Sequence, residues 1–399
     1  MAAQPTAHAA RPDNVPAELV VDWDIYNPPG SSEDVHRAWD ALHKGPDIVW
    51  SPRYGGHWIV TRFEDIDFLQ RNHDPFSMQD VTLPPGTHTR VLPLEADPPE
   101  HTQYRAIVSP WFTPKNIEAL GEFTRGLAVE LIEGFKDKGE CEFINDFSLM
   151  LPIAIFCKLT NIPFEDRKQL LEWTEWSLRG TLDQRQAAHA AMKGYIEKLI
   201  ADRRARPGKD IMTDVVNAKI NGEPIKHEDI VSMMLVILFG GLDTVAATLG
   251  FIAHFLATHP DHRRQLIAEP ALIPQAVEEL LRRFPVSGTT RTLTRDFDLK
   301  GIHFKKGDKV FVATTLANLD DRKYERPLEV NFQRPSSVHA GFGAGPHRCP
   351  GSFLARTEIK VYLEEWFKRI PDFHVKSGEK PVFATGSVNA VHYLPLVWG

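Results

Sequence analysis

Cysteine is scarce in this chain: Cys141, Cys157 and Cys349 are the only three in 399 residues. Three thiols are too few for a disulfide framework, which points to a reducing, cytoplasmic setting. An excess of positive charge is also missing, since 46 basic residues face 53 acidic ones for a net charge of −7. That balance gives no support to nucleic-acid binding as a main role. Long apolar runs are absent too. The longest spans Val231 to Leu242 and includes Ser232, well short of the roughly 20 residues that cross a membrane. The first residues, 1–16, are rich in Ala, Pro and polar side chains. They lack the basic-then-apolar layout of a signal peptide and read as a flexible arm. No internal repeat is evident. What remains is a soluble globular chain, 42% hydrophobic and 25% charged.

Periodicity makes that chain mostly helical. Apolar residues recur at three-to-four spacing from Asn116 to Lys136, from Asp166 to Arg179 and from Gln184 to Arg204. A long stretch from His227 to Thr258 is apolar on most faces and belongs in a core. Ile273 to Phe284 forms another helix, with Pro274 in the first turn, where a missing donor costs little. Ser352 to Arg369 forms a further one. Strand signals are minor. Asp47 to Thr61 reads as a hairpin around Gly55-Gly56, and short runs follow at Arg291 to Thr294, Phe297 to Leu299, Lys309 to Thr314 and Val382 to Leu396. Ala317 to Pro335 is an irregular meander. Helices with small sheets at either end imply a mainly α (α+β) fold, with residues 17–399 forming one domain.

The chemistry gathers around Cys349. It sits near the end of Ala340-Gly341-Phe342-Gly343-Ala344-Gly345-Pro346-His347-Arg348-Cys349-Pro350-Gly351. Glycines there let the backbone adopt positive φ and approach a ligand closely. Amides turned toward one sulfur stabilise a thiolate, which serves as a nucleophile or a metal ligand. One cysteine cannot build a structural zinc site, so haem iron is the best match.

Within the long apolar stretch, Phe239-Gly240-Gly241-Leu242-Asp243-Thr244 puts two glycines and a polar pair where a helix interior resists them. Each glycine costs about 1 kcal/mol relative to Ala, and a buried acid and alcohol cost more unless they are used. The plain alternative is a kinked helix with Thr244 bonded to a carbonyl one turn earlier. Glu279 and Arg282 lie three apart on the next helix, a spacing that is ordinarily a solvated surface pair.

Phe-x-x-Gly-x-His-x-Cys-x-Gly, from Phe342 to Gly351, resembles the haem-binding loop of the cytochrome P450 family. The resemblance covers nearly the whole chain. It implies the cytochrome P450 fold, a helical core around haem b, with Cys349 as axial thiolate and Phe342 packed near the sulfur. Gly240 would open a groove for O₂, and Asp243 and Thr244 would relay protons. Asp97-Pro98-Pro99-Glu100-His101-Thr102-Gln103-Tyr104-Arg105 is similar to the family's haem-contacting helix, so His101, Arg105, Arg291 and His347 are implied propionate contacts. Glu279, Arg282 and Arg334 match a structural Glu-x-x-Arg clamp. With no Cys-x-x-Cys-His the haem is non-covalent. With no dinucleotide fingerprint and no fused flavin or iron–sulfur module, electrons come from another protein.

Gly55-Gly56-His57-Trp58-Ile59, the Glu278 to Phe284 run and Leu394-Pro395-Leu396-Val397-Trp398 look like the bacterial camphor hydroxylase branch of that family. The resemblance implies a monooxygenase acting on a small hydrophobic terpenoid or norisoprenoid, camphor-like or ionone-like. It also implies a [2Fe–2S] ferredoxin with an NADH-dependent reductase, and a monomer. Thr89, Val236, Phe239, Ser287 and Val388, with Val286, are the implied pocket walls. Thr89 and Phe239 stand where that branch has a tyrosine and a valine, which favours a substrate of similar or flatter shape. Arg105, Arg356 and Lys360 are candidate contacts for an acidic ferredoxin. Two other readings are a haem-binding sensor or carrier without turnover and an H₂O₂-driven peroxygenase; the Asp243-Thr244 pair argues against both. A cysteine hydrolase finds no partner for Cys349 beyond His347.

Overall fold

The computed structural model describes residues 8–86, 90–335 and 338–399. Thr89 lies outside the described residues, as does the side chain of Phe239. About 52% of the chain is helical and the sheets are small, as the periodicity implies. The helices Pro114–Glu133, Arg167–Arg179, Leu182–Ala205, Ile273–Arg283 and Ser352–Arg369 fall where apolar residues recur every three or four positions.

The hairpin at residues 47–61 forms as Ile48–Ser51 and His57–Val60, with Trp50 opposite Trp58. Its edge is extended by distant parts of the chain. Lys309–Ala313 runs parallel to His57–Val60, Gly288–Leu293 pairs antiparallel to Lys309–Ala313, and Phe76–Ser77 closes the row of five. This sheet carries Arg291 opposite Val310.

Residues 227–258 do not form one helix. The backbone breaks at Asp243 (φ −114°, ψ −43°), between His227–Leu242 and Thr244–Thr258. The first half packs in a cluster with Phe156, Met192 and Ile196, while the second joins the larger core around Phe284, Phe311 and Trp366. The break therefore falls where the chain passes from one apolar cluster to the other. By length and composition the whole stretch could cross a membrane, with mean hydropathy 2.1 in its most apolar window, yet 65% of that window is buried inside the protein.

From Ala9 onward the N-terminal arm is tied down rather than loose. The Ala9 amide donates to the Pro52 carbonyl at 2.8 Å, Asn14 donates to the His303 carbonyl at 2.9 Å, and Val15 is buried in the core. The meander is also fastened: Asp320 accepts from Arg62 Nη1 at 2.9 Å and from the Phe63 amide at 2.8 Å.

Candidate active site

Cys349 is held by its own loop. Its amide donates to the Phe342 carbonyl at 2.9 Å, and the Gly343 amide donates to the Ala340 carbonyl at 2.8 Å. Gly345 has φ +68°, and a Cβ there would stand 2.5 Å from the carbonyl oxygen of Gln70. The loop thus turns against the end of the Phe63–Arg71 helix at a separation only glycine allows. Burial pushes the Cys349 thiol up, while the Gly351 amide and the charges of Arg105, Arg348 and Arg356 pull it toward the thiolate.

Four basic side chains face the same region. His101 and Arg105 lie one turn apart on the Glu100–Val108 helix, Arg291 projects from the sheet, and His347 belongs to the Cys loop. The rings of His101 and His347 are 4.3 Å apart, centroid to centroid. Both Nε2 atoms are buried, and neither has a hydrogen-bond partner among the described residues. Among the described residues, neither Arg105 nor Arg291 forms an ion pair; Arg105 donates to the Arg348 carbonyl at 2.5 Å and Arg291 to Thr289 Oγ1 at 3.0 Å. Burial, followed by the charges of His101, Arg291, Arg105 and His73, pulls the His347 pKa down to about 2. Burial lowers Arg291 to about 10 and also lowers His101. Basic side chains crowded together without a counter-charge, two of them with an unsatisfied ring nitrogen, are costly unless an anion completes them. Two carboxylates fit that need.

The broken helix supplies an open face. Gly240 is exposed near the C-terminal end of the His227–Leu242 helix, and a Cβ there would meet nothing within 4 Å. Gly241 does the reverse: its Cβ would stand 2.6 Å from Phe156 Cδ2, so it serves close helix packing. Asp243 is buried. The Thr244 hydroxyl donates to the Gly240 carbonyl at 3.4 Å, a long and weak bond, and the Thr248 hydroxyl donates to the Thr244 carbonyl at 2.9 Å.

Glu279, Arg282 and Arg334 do meet. Arg282 Nε donates to Glu279 Oε2 at 2.8 Å, and Arg334 Nε lies 3.2 Å from both carboxylate oxygens. Arg282 also donates to the carbonyls of Asn318, Pro327 and Glu329. The pair is buried, not solvated, and it fastens the meander to the Ile273–Arg283 helix. Sequence reasoning missed the neighbouring acid, Glu278. It holds Arg356 through Nε at 2.6 Å and Nη2 at 2.8 Å, and His339 at 3.3 Å. Arg356, a candidate docking contact, lies over the Phe342 ring at 4.6 Å. The signal available in the sequence was a second acid in Glu278-Glu279 and an arginine one helix turn into the segment after the Cys loop.

Of the implied pocket walls, Ser287 and Val388 are brought together by a bridge between their backbones, and Val286 is buried beside them in the larger core. Ser287 Oγ lies 3.5 Å from Thr314 Oγ1. Val236 packs in the other cluster.

A cofactor with one metal to ligate and two carboxylates to neutralise uses the thiol, the two arginines and the two histidines at once, and haem b is such a cofactor. The model of the cytochrome P450 family matches residues 156–382. Probable cytochrome P450 127A1 of Sinorhizobium fredii is 34% identical, over 97% of this chain and 96% of that protein. The crystal structure of cytochrome P450 CYP101C1 superimposes with a TM-score of 0.90 at 36% identity, covering 98% of this chain and 100% of the other. That of CYP101J2 gives 0.90 at 35% identity, with the same coverage. The chain belongs to the cytochrome P450 family, whose members are monooxygenases that use haem b.

Proposed function

We propose that the protein hydroxylates a small hydrophobic terpenoid or norisoprenoid, ionone-like or camphor-like, with O₂ and electrons from a [2Fe–2S] ferredoxin reduced by an NADH-dependent reductase. The observation that carries the haem reading is the pair of buried, partnerless Nε2 atoms on His101 and His347, flanked by Arg105 and Arg291. In this reading His101, Arg105, Arg291 and His347 would hold the propionates and Cys349 would ligate the iron. Haem bound through a thiolate supplies the electron density that favours O–O cleavage.

The chain's own residues do the rest. The Cys loop keeps water from the sulfur with the Phe342 ring. Gly240 leaves room beside the broken helix for O₂. Thr244, whose hydroxyl is only weakly engaged, turns to donate a proton there, and Asp243 one residue earlier replenishes it. Glu279, Arg282 and Arg334 keep the proximal core in place.

Apolar Val236, Val286 and Val388 supply the substrate walls, with Thr89, Phe239 and Ser287 setting its shape. The resemblance to CYP101C1 and CYP101J2 supports a small substrate and a ferredoxin partner. A monomeric, cytoplasmic enzyme is part of this reading.

The carbon monoxide difference spectrum of the reduced protein tests the ligand: a strongly red-shifted Soret band is expected, and its persistence in Cys349→Ala would refute the assignment. Spin-state titration tests the substrate class. An ionone should shift the haem spectrum, whereas a response to camphor alone would remove the norisoprenoid reading.

A further inference from the structure

We propose that Glu278, His339 and Arg356 form a positioning device that fixes the Phe342 ring and, through it, the backbone that presents Cys349. This rests on the reading of Cys349 as the haem ligand. The geometry closes on a single carboxylate. Glu278 Oε1 accepts from Arg356 Nε at 2.6 Å, while Oε2 accepts from Arg356 Nη2 at 2.8 Å and meets His339 Nε2 at 3.3 Å. The Gly341 amide donates to His339 Nδ1 at 3.0 Å. That bond makes Nδ1 the acceptor, so Nε2 carries the proton and donates to Glu278. The remaining guanidinium nitrogen, Arg356 Nη1, donates to the Ser352 carbonyl at 3.1 Å.

Both partners of Glu278 touch Phe342. The Arg356 guanidinium carbon is 4.6 Å from the ring centroid, and the His339 ring is 5.9 Å away. Phe342 is in turn joined to Cys349 by the 2.9 Å bond from the Cys349 amide to the Phe342 carbonyl. A displaced ring therefore moves the ligand's own backbone and opens the sulfur to water. Every nitrogen of Arg356 is assigned inside the protein, so its planar fork is suited to fix the ring, not to recruit a partner. Planarity is what lysine lacks.

Charge and shape are separable by experiment. Arg356→Lys keeps the cation and loses the plane. Hydration of the sulfur weakens its donation to iron, so the midpoint potential of the holoenzyme should rise by about a tenfold change in the reduction equilibrium, 59 mV for one electron. Glu278→Gln, which frees the fork without removing it, should shift the potential in the same direction and provides a second variant if the lysine protein does not hold haem. Phe342→Leu completes the cycle: in that background both shifts should vanish. An unchanged potential in both Arg356→Lys and Glu278→Gln, or shifts that persist in full with Phe342→Leu, would overturn the proposal. Absence of the thiolate band in the reduced wild-type carbon monoxide complex would instead overturn the ligand reading on which it rests.

Discussion

Replacing Arg291 with methionine should push apoprotein stability and haem affinity in opposite directions. The guanidinium is 3% exposed, and the charge of Asp97 is the influence that opposes its desolvation. Burial holds its pKa at about 10. An unperturbed guanidinium titrates roughly two to three pH units higher, and at 1.36 kcal/mol per pH unit the gap is about 3 kcal/mol. Its hydrogen bonds to Thr289 Oγ1 and the Thr290 carbonyl return about 1 kcal/mol or somewhat more. Methionine, of similar length and no charge, should therefore stabilise the haem-free protein by about 1–2 kcal/mol.

With haem bound, on the reading that Arg291 meets a propionate, the same substitution would strand that carboxylate. Truncating one partner of a buried charged pair costs about 2–5 kcal/mol, which is about thirtyfold in haem affinity at the lower end. Urea unfolding of the haem-free protein, followed by its nine tryptophans, measures the first effect. The rate of haem transfer to excess apomyoglobin measures the second. A haem-free variant less stable than the wild type, or haem retained as tightly as before, would refute the account of these cations as an anion site.

Three further outcomes follow from packing and charge. Gly241→Ala places a methyl 2.6 Å from the buried Phe156 ring and should destabilise by about 1–3 kcal/mol. Gly240→Ala meets nothing within 4 Å and should gain about 1 kcal/mol of helix propensity, so opposite signs in paired urea melts are the check. Glu279→Gln leaves the fully buried Arg282 without a carboxylate and should cost about 3–5 kcal/mol, seen as loss of soluble, haem-containing protein. For Glu278, burial acts to raise the pKa, but hydrogen bonds from His339 and Arg356 outweigh it and hold the carboxyl at about 2. A carboxyl depressed in the folded state stabilises above its unfolded pKa of about 4.3 and loses that contribution as pH falls toward 2. Between about pH 5 and about pH 3 the wild type should therefore lose more stability than Glu278→Gln; parallel losses would contradict the pairing.

The sequence carried the helices and the centre of the site because both depend on local pattern. Apolar spacing locates Ser352–Arg369 and Ile273–Arg283, and the glycines around Cys349 mark a backbone with positive φ. The five-stranded sheet was less legible. Its strands come from residues 48–60, 76–77 and 288–313, and short β runs hold no record of which distant run they pair with. Polar contacts across elements were hidden for a similar reason. Glu278 and Glu279 are adjacent acids on one helix, yet one fastens the meander and the other the Cys loop. Arg356 read as a surface cation because nothing in its own helix reveals Glu278 or Phe342. The break at Asp243 was signalled by its glycines, but the division of the two halves between separate apolar clusters required the packed structure.

The near contact between Gly345 and the Gln70 carbonyl has a consequence for biosynthesis. The helix ending at Arg71 leaves the ribosome early, while its cover is encoded near the end of the message. At about 5–20 residues per second, roughly 15 to 55 seconds separate the two. Histidine and arginine contributed by residues 101, 105, 291 and 347 are scattered over the same interval. On the reading that these residues hold the haem, a nascent chain lacks part of the site until late in synthesis. Haem loading should await chain completion, and messages cut short before the final helix should yield colourless protein.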